Sequence, residues 1–375
     1  MIPARVIAFA GALVVAAGVT VAATQAGSDP SRETAQLVAP TPTPVVTPTA
    51  PIASIAPTPT PTPRRTIRKT EAKPLYPLPA GPAWPSPCPP PPLPPGPKPP
   101  PPPKPKVPTS KLPKPVALTA HRPSLKAVSG KGMWLTTWAD TRLDVPQVVA
   151  KAVNAHLTQL WVRTGGTKQG FYGHRALDAL LPAAHRAGLA VIAWDFPTLS
   201  DPVADANRAI RTIGTSYGGQ HLDGFSPDIE TINEGTFNAP VRVAVYLSRV
   251  RAASGDIPLV ATVMRPTAFQ LRTYPYRAEA VYVDVFAPMI YWSCNEPGAV
   301  TAESIRALAR MRPVHVIGQS YDMADEGGRH GLPTGREIWR FLDVAKRAGA
   351  VGASLYLYSE THGPQWAALG AYPWR

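Results

Sequence analysis

Cysteine is almost absent from this chain: 375 residues carry two, Cys88 and Cys294. No Cys/Cys or Cys/His spacing suits zinc, and no cysteine follows the N-terminal apolar run, which excludes a lipoprotein anchor. Cys88 sits in a proline tract, so the sequence leaves its pairing with Cys294 open. The chain also lacks Gly-x-Ser-x-Gly, a P-loop and a dinucleotide fingerprint. His174, His185 and His221 belong to no recognisable pattern. Acidic residues are scarce where basic ones gather: the first 129 residues hold 14 Lys and Arg against 3 Asp and Glu, whereas the remainder holds 24 against 21. The overall charge of +14 therefore belongs mostly to the N-terminal part. A nucleic-acid-binding fold would carry that charge on the folded domain, so nucleic acid is not an expected partner. A solvated basic linker, or attraction to an anionic cell-envelope polymer, accounts for it instead.

Proline is scarce only in the second part: 34 of 49 prolines precede residue 128. Residues 1–26 read as a signal peptide or signal anchor. "MIPAR" supplies a positive charge, Val6 to Ala23 is an unbroken apolar and small-residue run, and "ATQAGS" offers a cleavage site. Secretion or an extracytoplasmic location is expected, with the membrane engaged only through that segment. Residues 27–128, with "APTPTP" twice and "PPPPLPPGPKPPPPPKPKVP", cannot build a core and are expected to form a disordered, extended tether.

From residue 129 to 375 the texture changes. Eight apolar runs, starting with "GMWLTTWA" and "LTQLWVRT" and ending with "VGASLYLYSE", alternate with amphipathic stretches such as "LDALLPAAHRAG". Two of these stretches end in Ala-Gly, a helix stop. Eight strands alternating with helices over about 240 residues match an α/β (β/α)8 TIM barrel. A doubly wound sheet is the alternative, but it wants a glycine-rich turn after its first strand, and "TTWADTRLD" is not one.

Such a barrel places its active site at the C-terminal ends of the strands. Those ends bring up Trp138 and Asp140, Trp161 and Arg163, Trp194 and Asp195, then Asp228 and Glu230. Later strands contribute Met264 and Arg265, Met289 and Tyr291, Gln319 with Tyr321 and Asp322, and Tyr356, Tyr358 and Glu360. Flat rings stack on sugar faces while carboxylates and amides bind hydroxyls, so a polysaccharide ligand is expected. The candidate binding residues are Trp138, Asp140, Trp161, Arg163, Trp194, Asp195, Met289, Gln319, Tyr321, Tyr358 and Glu360. Asp322, Asp325, Glu326 and His330 read as a solvated loop rather than a cation site, so no metal or cofactor is expected, and a monomer is.

Within "DGFSPDIE" (223–230), Asp228 and Glu230 share one face of a strand. This stretch resembles the fourth-strand signature of family 18 glycoside hydrolases, the chitinases and endo-N-acetylglucosaminidases, with Asp223, Gly224, Asp228 and Glu230 in place. "APMIYW" resembles that family's Met-x-Tyr-Asp segment through Met289 and Tyr291. Ser226 replaces the middle aspartate, Trp292 stands at the sixth-strand aspartate, the third strand lacks Ser-Gly-Gly, and the eighth ends in tyrosines. A lysozyme-like barrel of the family 25 type is an alternative relative. The family 18 resemblance implies Glu230 as general acid, Asp228 orienting a substrate acetamido group and Tyr291 hydrogen-bonding the intermediate, on an N-acetylhexosamine polymer. A non-catalytic carbohydrate-binding barrel is the rival expectation.

Overall fold

The computed structural model describes residues 104–118, 123–136, 144–326 and 328–374. Short β-branched and aromatic runs form the strands β1 Gly130–Leu135, β2 Gln159–Gly166, β3 Gly170–Phe171, β4 Ala190–Phe196, β5 Gly224–Pro227, β6 Val260–Val263, β7 Val285–Ile290, β8 His315–Gln319 and β9 Gly352–Tyr356. All except β3, which is antiparallel to β2, pair in parallel in the order β5-β4-β2-β1-β9-β8-β7-β6. Single bridges, Phe225 to Leu259 and Asp228 to Thr262, join the two ends of that series. The result is a nearly closed eight-strand (β/α)8 barrel, as the alternation of runs predicts.

Helices α1 Val145–Asn154, α2 His174–Arg186, α3 Pro202–Gly214, α4 Pro240–Ala253, α5 Gln270–Thr273, α6 Tyr276–Ala280, α7 Pro297–Leu308, α8 Gly335–Arg347 and α9 Gly363–Ala371 fill the connections. Their ends are written locally. Asp144 and Asp201 cap α1 and α3 by accepting from Gln147 and Ala204 N–H. Thr334 and Glu337 form a capping box on α8. Helix α2 stops at Ala187, and Gly188 follows with φ +74°, a conformation suited to glycine. On α8 the buried Ile338, Phe341, Leu342 and Ala345 recur at helical spacing and face the outer wall of the barrel.

Strand alternation separates two apolar layers. Outward residues such as Leu160, Val162, Phe225 and Phe286 join the helices in one core. Inward residues fill the barrel: Trp134, Trp161, Ile192, Trp194, Val260, Val285, Ala287 and Ile317. Trp134 stacks on Trp161 with centroids 4.8 Å apart, and Trp194 meets Trp134 edge-on at 5.3 Å. A Cβ on Gly132 would lie 2.8 Å from Trp161 Nε1, so that glycine makes room for the ring. At the opposite end from the site, His315 bridges Val128 O and Ser354 Oγ at 2.8 and 2.9 Å, and burial pulls its pKa down to about 4. Lys131 points outward from β1 and donates to Leu369 O and Tyr372 O, fastening the C-terminal helix.

Residues 104–118, the end of the stretch that composition reads as tether, lie against the barrel. Lys106 N and Val107 N donate to Ser200 Oγ and Ser200 O, and Val116 N donates to Ser248 Oγ. The buried Arg242 of α4 donates to Leu199 O and to Val107 O. Proline composition foretells the missing ladder but not these side-chain contacts. A chain beginning at residue 129 is expected to melt below one beginning at 104, because Arg242 loses an acceptor and part of its cover, a loss of about 1–3 kcal/mol. Equal melting temperatures would show that the segment contributes nothing. Cys294 is disulfide-bonded rather than a free thiol; Cys88, Trp138 and Asp140 lie outside the described residues.

Candidate active site

The last ladder residue of β5 is Pro227, and the chain runs on through Asp228, Ile229 and Glu230 at the C-terminal mouth of the barrel. Alternation turns Ser226 and Asp228 inward and buries Phe225 and Ile229 among the helices. Ser226 Oγ bonds Thr262 Oγ1 of β6 at 2.8 Å. Asp228 is 7% exposed, and its Oδ1 has no hydrogen-bond partner among the described residues. Glu230 is half-buried. Arg163 of β2, 8% exposed, lies with its guanidinium 5.0 Å from the centre of the Trp194 ring and adds a positive charge to the same mouth.

Burial dominates the electrostatics. It pushes Asp228 up to about 7, with Arg163 opposing and Asp195 and Glu234 adding to the rise. Glu230 is held well above the carboxylate range, first by burial and then by Asp228, Glu234 and Glu326, again against Arg163. Three phenols complete the mouth. Tyr291, Tyr321 and Tyr356 sit with ring centroids 5.6 to 6.0 Å apart. Burial raises the pKa of all three, so each keeps its proton and can donate a hydrogen bond. Tyr321 donates to Glu326 Oε2 at 3.0 Å.

The structure thus gathers Arg163, Asp228, Glu230, Met289, Tyr291, Gln319 and Tyr321 on the inward phase. Met289 packs on the interior cluster, and Gln319, 1% exposed, accepts from Ser293 N–H at 2.8 Å. Other candidates fall elsewhere. Trp161 and Trp194, expected to offer rings to a sugar, are 0% and 2% exposed inside the barrel wall and have no face free for stacking. Asp195 points outward from β4 into an ion pair with Arg208, itself paired with Asp205 at 2.6 Å. Tyr358 and Glu360 lie in a 3-10 turn after β9, which breaks the strand alternation. Tyr358 packs on Trp366 and lies beneath Lys151, while Glu360 is exposed.

Trp292 also faces outward, donating to Glu337 Oε1 at 3.2 Å. Asp223 lies at the other end of β5, bonded to Val191 N and His185. Among the described residues no group of three or more His, Cys, Asp or Glu could hold a metal ion; Asp322 accepts from the N–H groups of Ala324 and Gly331, folding its loop. Tyr356 belongs to the site although the candidate set names Tyr358; the spacing Gly352, Ser354, Tyr356 on one strand face identifies it.

No family model matches the chain, and no curated protein does. Solved structures do. A candidate alpha-L-fucosidase from Bacteroides thetaiotaomicron VPI-5482 superposes with a TM-score of 0.51 at 15% identity, covering 68% of this chain and 94% of that one. The likeness is one of fold. A chitinase from Chromobacterium violaceum ATCC 12472 has a TM-score of 0.49 at 12% identity, covering 65% of this chain and 100% of its own. The spore cortex-lytic enzyme SleL of Bacillus cereus has a TM-score of 0.49 at 14% identity, covering 64% and 73%. Among the described residues no helix is long and apolar enough to cross a membrane.

Proposed function

We propose that this barrel is an exported glycoside hydrolase that cleaves an N-acetylhexosamine polysaccharide with the help of the substrate's own acetamido group. The observation that carries the reading is a buried carboxylate oxygen without a partner among the described residues, Asp228 Oδ1, next to a carboxyl, Glu230, whose pKa burial and Asp228 together raise well above the usual range. Two carboxyls from neighbouring positions of one chain segment do not flank a glycosidic bond from opposite faces, as an acid and a separate nucleophile do. They can act from one side. Glu230 gives its proton to the leaving glycosidic oxygen as that bond breaks. The acetamido carbonyl oxygen attacks the anomeric carbon, and Asp228 accepts the acetamido N–H. Tyr291 donates to the intermediate. Water then opens the ring formed, and Glu230, now ionised, takes the proton from that water.

A non-catalytic carbohydrate-binding barrel is the second reading, favoured by Ser226, which closes on Thr262 where the resembling signature carries an aspartate. Incubating the full chain with polymers that carry and that lack 2-acetamido groups separates the two. Cleavage confined to acetamido polymers, with the anomeric configuration retained, is the expected result. Inverted products would remove the acetamide step, and binding with no cleavage of any polymer would establish the second reading.

A further inference from the structure

The segment that carries both carboxyls lies beyond the regular ladder of β5, so other groups must fix its course. Four bonds do so. Asp228 N donates to Asp195 O at 2.8 Å, and Ile229 N reaches Thr262 O at 3.3 Å. Asn238 Nδ2 donates to Glu230 O at 2.9 Å. The remaining bond comes from Tyr274, a buried residue following α5, whose hydroxyl donates to Ile229 O, the carbonyl directly between the two carboxyl-bearing residues. Its neighbour Tyr276, with rings 4.5 Å apart, donates in the same manner to Met264 O at 2.9 Å, at the end of β6. We propose that Tyr274 is a positioning residue for Glu230, holding the Ile229 carbonyl so that the two carboxyls keep their mutual orientation; this rests on the hydrolase reading above.

The peptide plane between Ile229 and Glu230 sets the direction in which the Glu230 side chain leaves the backbone. Among the described residues, the Asn238 amide and the Tyr274 hydroxyl are the side-chain hydrogen bonds to the backbone of that stretch. Beside it Glu279 is completely buried, and burial holds its carboxyl well above the ordinary range. An interaction with the Tyr274 hydroxyl opposes that rise, so the phenol faces the Glu279 carboxyl as well as Ile229 O. The C-terminal end of the loop after β6 is thereby tied twice, through Tyr276 to Met264 O at the end of β6 and through Tyr274 to Ile229 O in the carboxyl-bearing segment.

Paired variants of the full chain test the assignment. Tyr274→Phe and Tyr276→Phe each remove one hydroxyl from one backbone carbonyl, and both are expected to lower the melting temperature to a similar extent. Only Tyr274→Phe is expected to reduce kcat, on the order of tenfold with KM nearly unchanged, since small misplacements of catalytic groups carry such losses. Carbon-13 NMR of labelled glutamate, with Glu230 assigned through Glu230→Gln, is expected to show a displaced Glu230 titration in Tyr274→Phe and an unmoved one in Tyr276→Phe. Equal effects of the two variants, or an unchanged titration in Tyr274→Phe, would overturn the assignment. If the wild-type chain cleaves no glycan, the hydrolase reading fails by itself, and the titration still decides whether Tyr274 holds Glu230.

Discussion

Glu230→Gln is expected to lower kcat by roughly 10²- to 10⁴-fold, the usual contribution of a general acid, with polysaccharide binding retained. Glutamine keeps the outline of a protonated carboxylic acid but has no acidic proton to give to the leaving oxygen. Burial and the neighbouring Asp228 raise the Glu230 pKa well above the usual carboxylate range, so glutamine resembles the neutral form that the site favours. The melting temperature is therefore expected to stay level or to rise slightly. Rate measurements at saturating substrate and thermal melts of the same preparation check both halves. Undiminished turnover in Glu230→Gln would place the acid elsewhere in the mouth.

Asp228→Asn is expected to abolish most activity and to stabilise the fold at neutral pH, with a gain that vanishes in acid. The sign follows from the direction of the shift. A carboxyl raised from 3.8 to about 7 in the native state holds its proton in the fold while the unfolded chain has released it. Native stability therefore falls as pH rises from about 4 to about 7. The cost reaches on the order of 4 kcal/mol above that range. Asparagine carries no such penalty, so the melting temperatures of variant and wild type are expected to coincide near pH 4 and to separate by several degrees at pH 8. On the proposed acetamido mechanism, wild-type activity is expected to move the opposite way. An ionised Asp228 is needed to accept the acetamido N–H, so the acid limb of kcat should lie near 7, and loss of the Glu230 proton sets the alkaline limb. A melting difference that is constant between pH 4 and pH 8 would mean that Asp228 titrates as an ordinary surface carboxylate.

How far the sequence could be read depends on which physical rule each residue obeys. The period of two along a strand places Asp228, Arg163, Met289, Tyr291, Gln319 and Tyr321 inward, and the structure puts them there. The same rule, applied strictly, would have sent Asp195 outward, because it adjoins the inward Trp194. Depth along the barrel is different. Trp161 is paired with Trp134 and Ile192, well below the end of β2, and the stagger that sets this level arises from closure of the barrel rather than from any local pattern. An aromatic residue near a strand end can therefore be wall filling. Tyr274 and Arg242 obey no periodicity that reveals their partners. One reaches back from a loop to a neighbouring strand, and the other leaves its helix to meet a segment 135 residues earlier.

The course of residues 104–118 has a mechanical consequence. Ser200, which receives Lys106 and Val107, belongs to the loop after β4, on the same rim as Glu230; Ser248, which receives Val116, lies further along α4, toward the end where β1 begins. The chain thus passes down the flank before it enters the barrel, so its point of departure is at the mouth. A pull from the N-terminal side loads Arg242 and the Ser200 contacts before any force reaches β1. Force applied at residue 104 therefore turns the opening of the barrel, rather than its base, toward the direction of the pull.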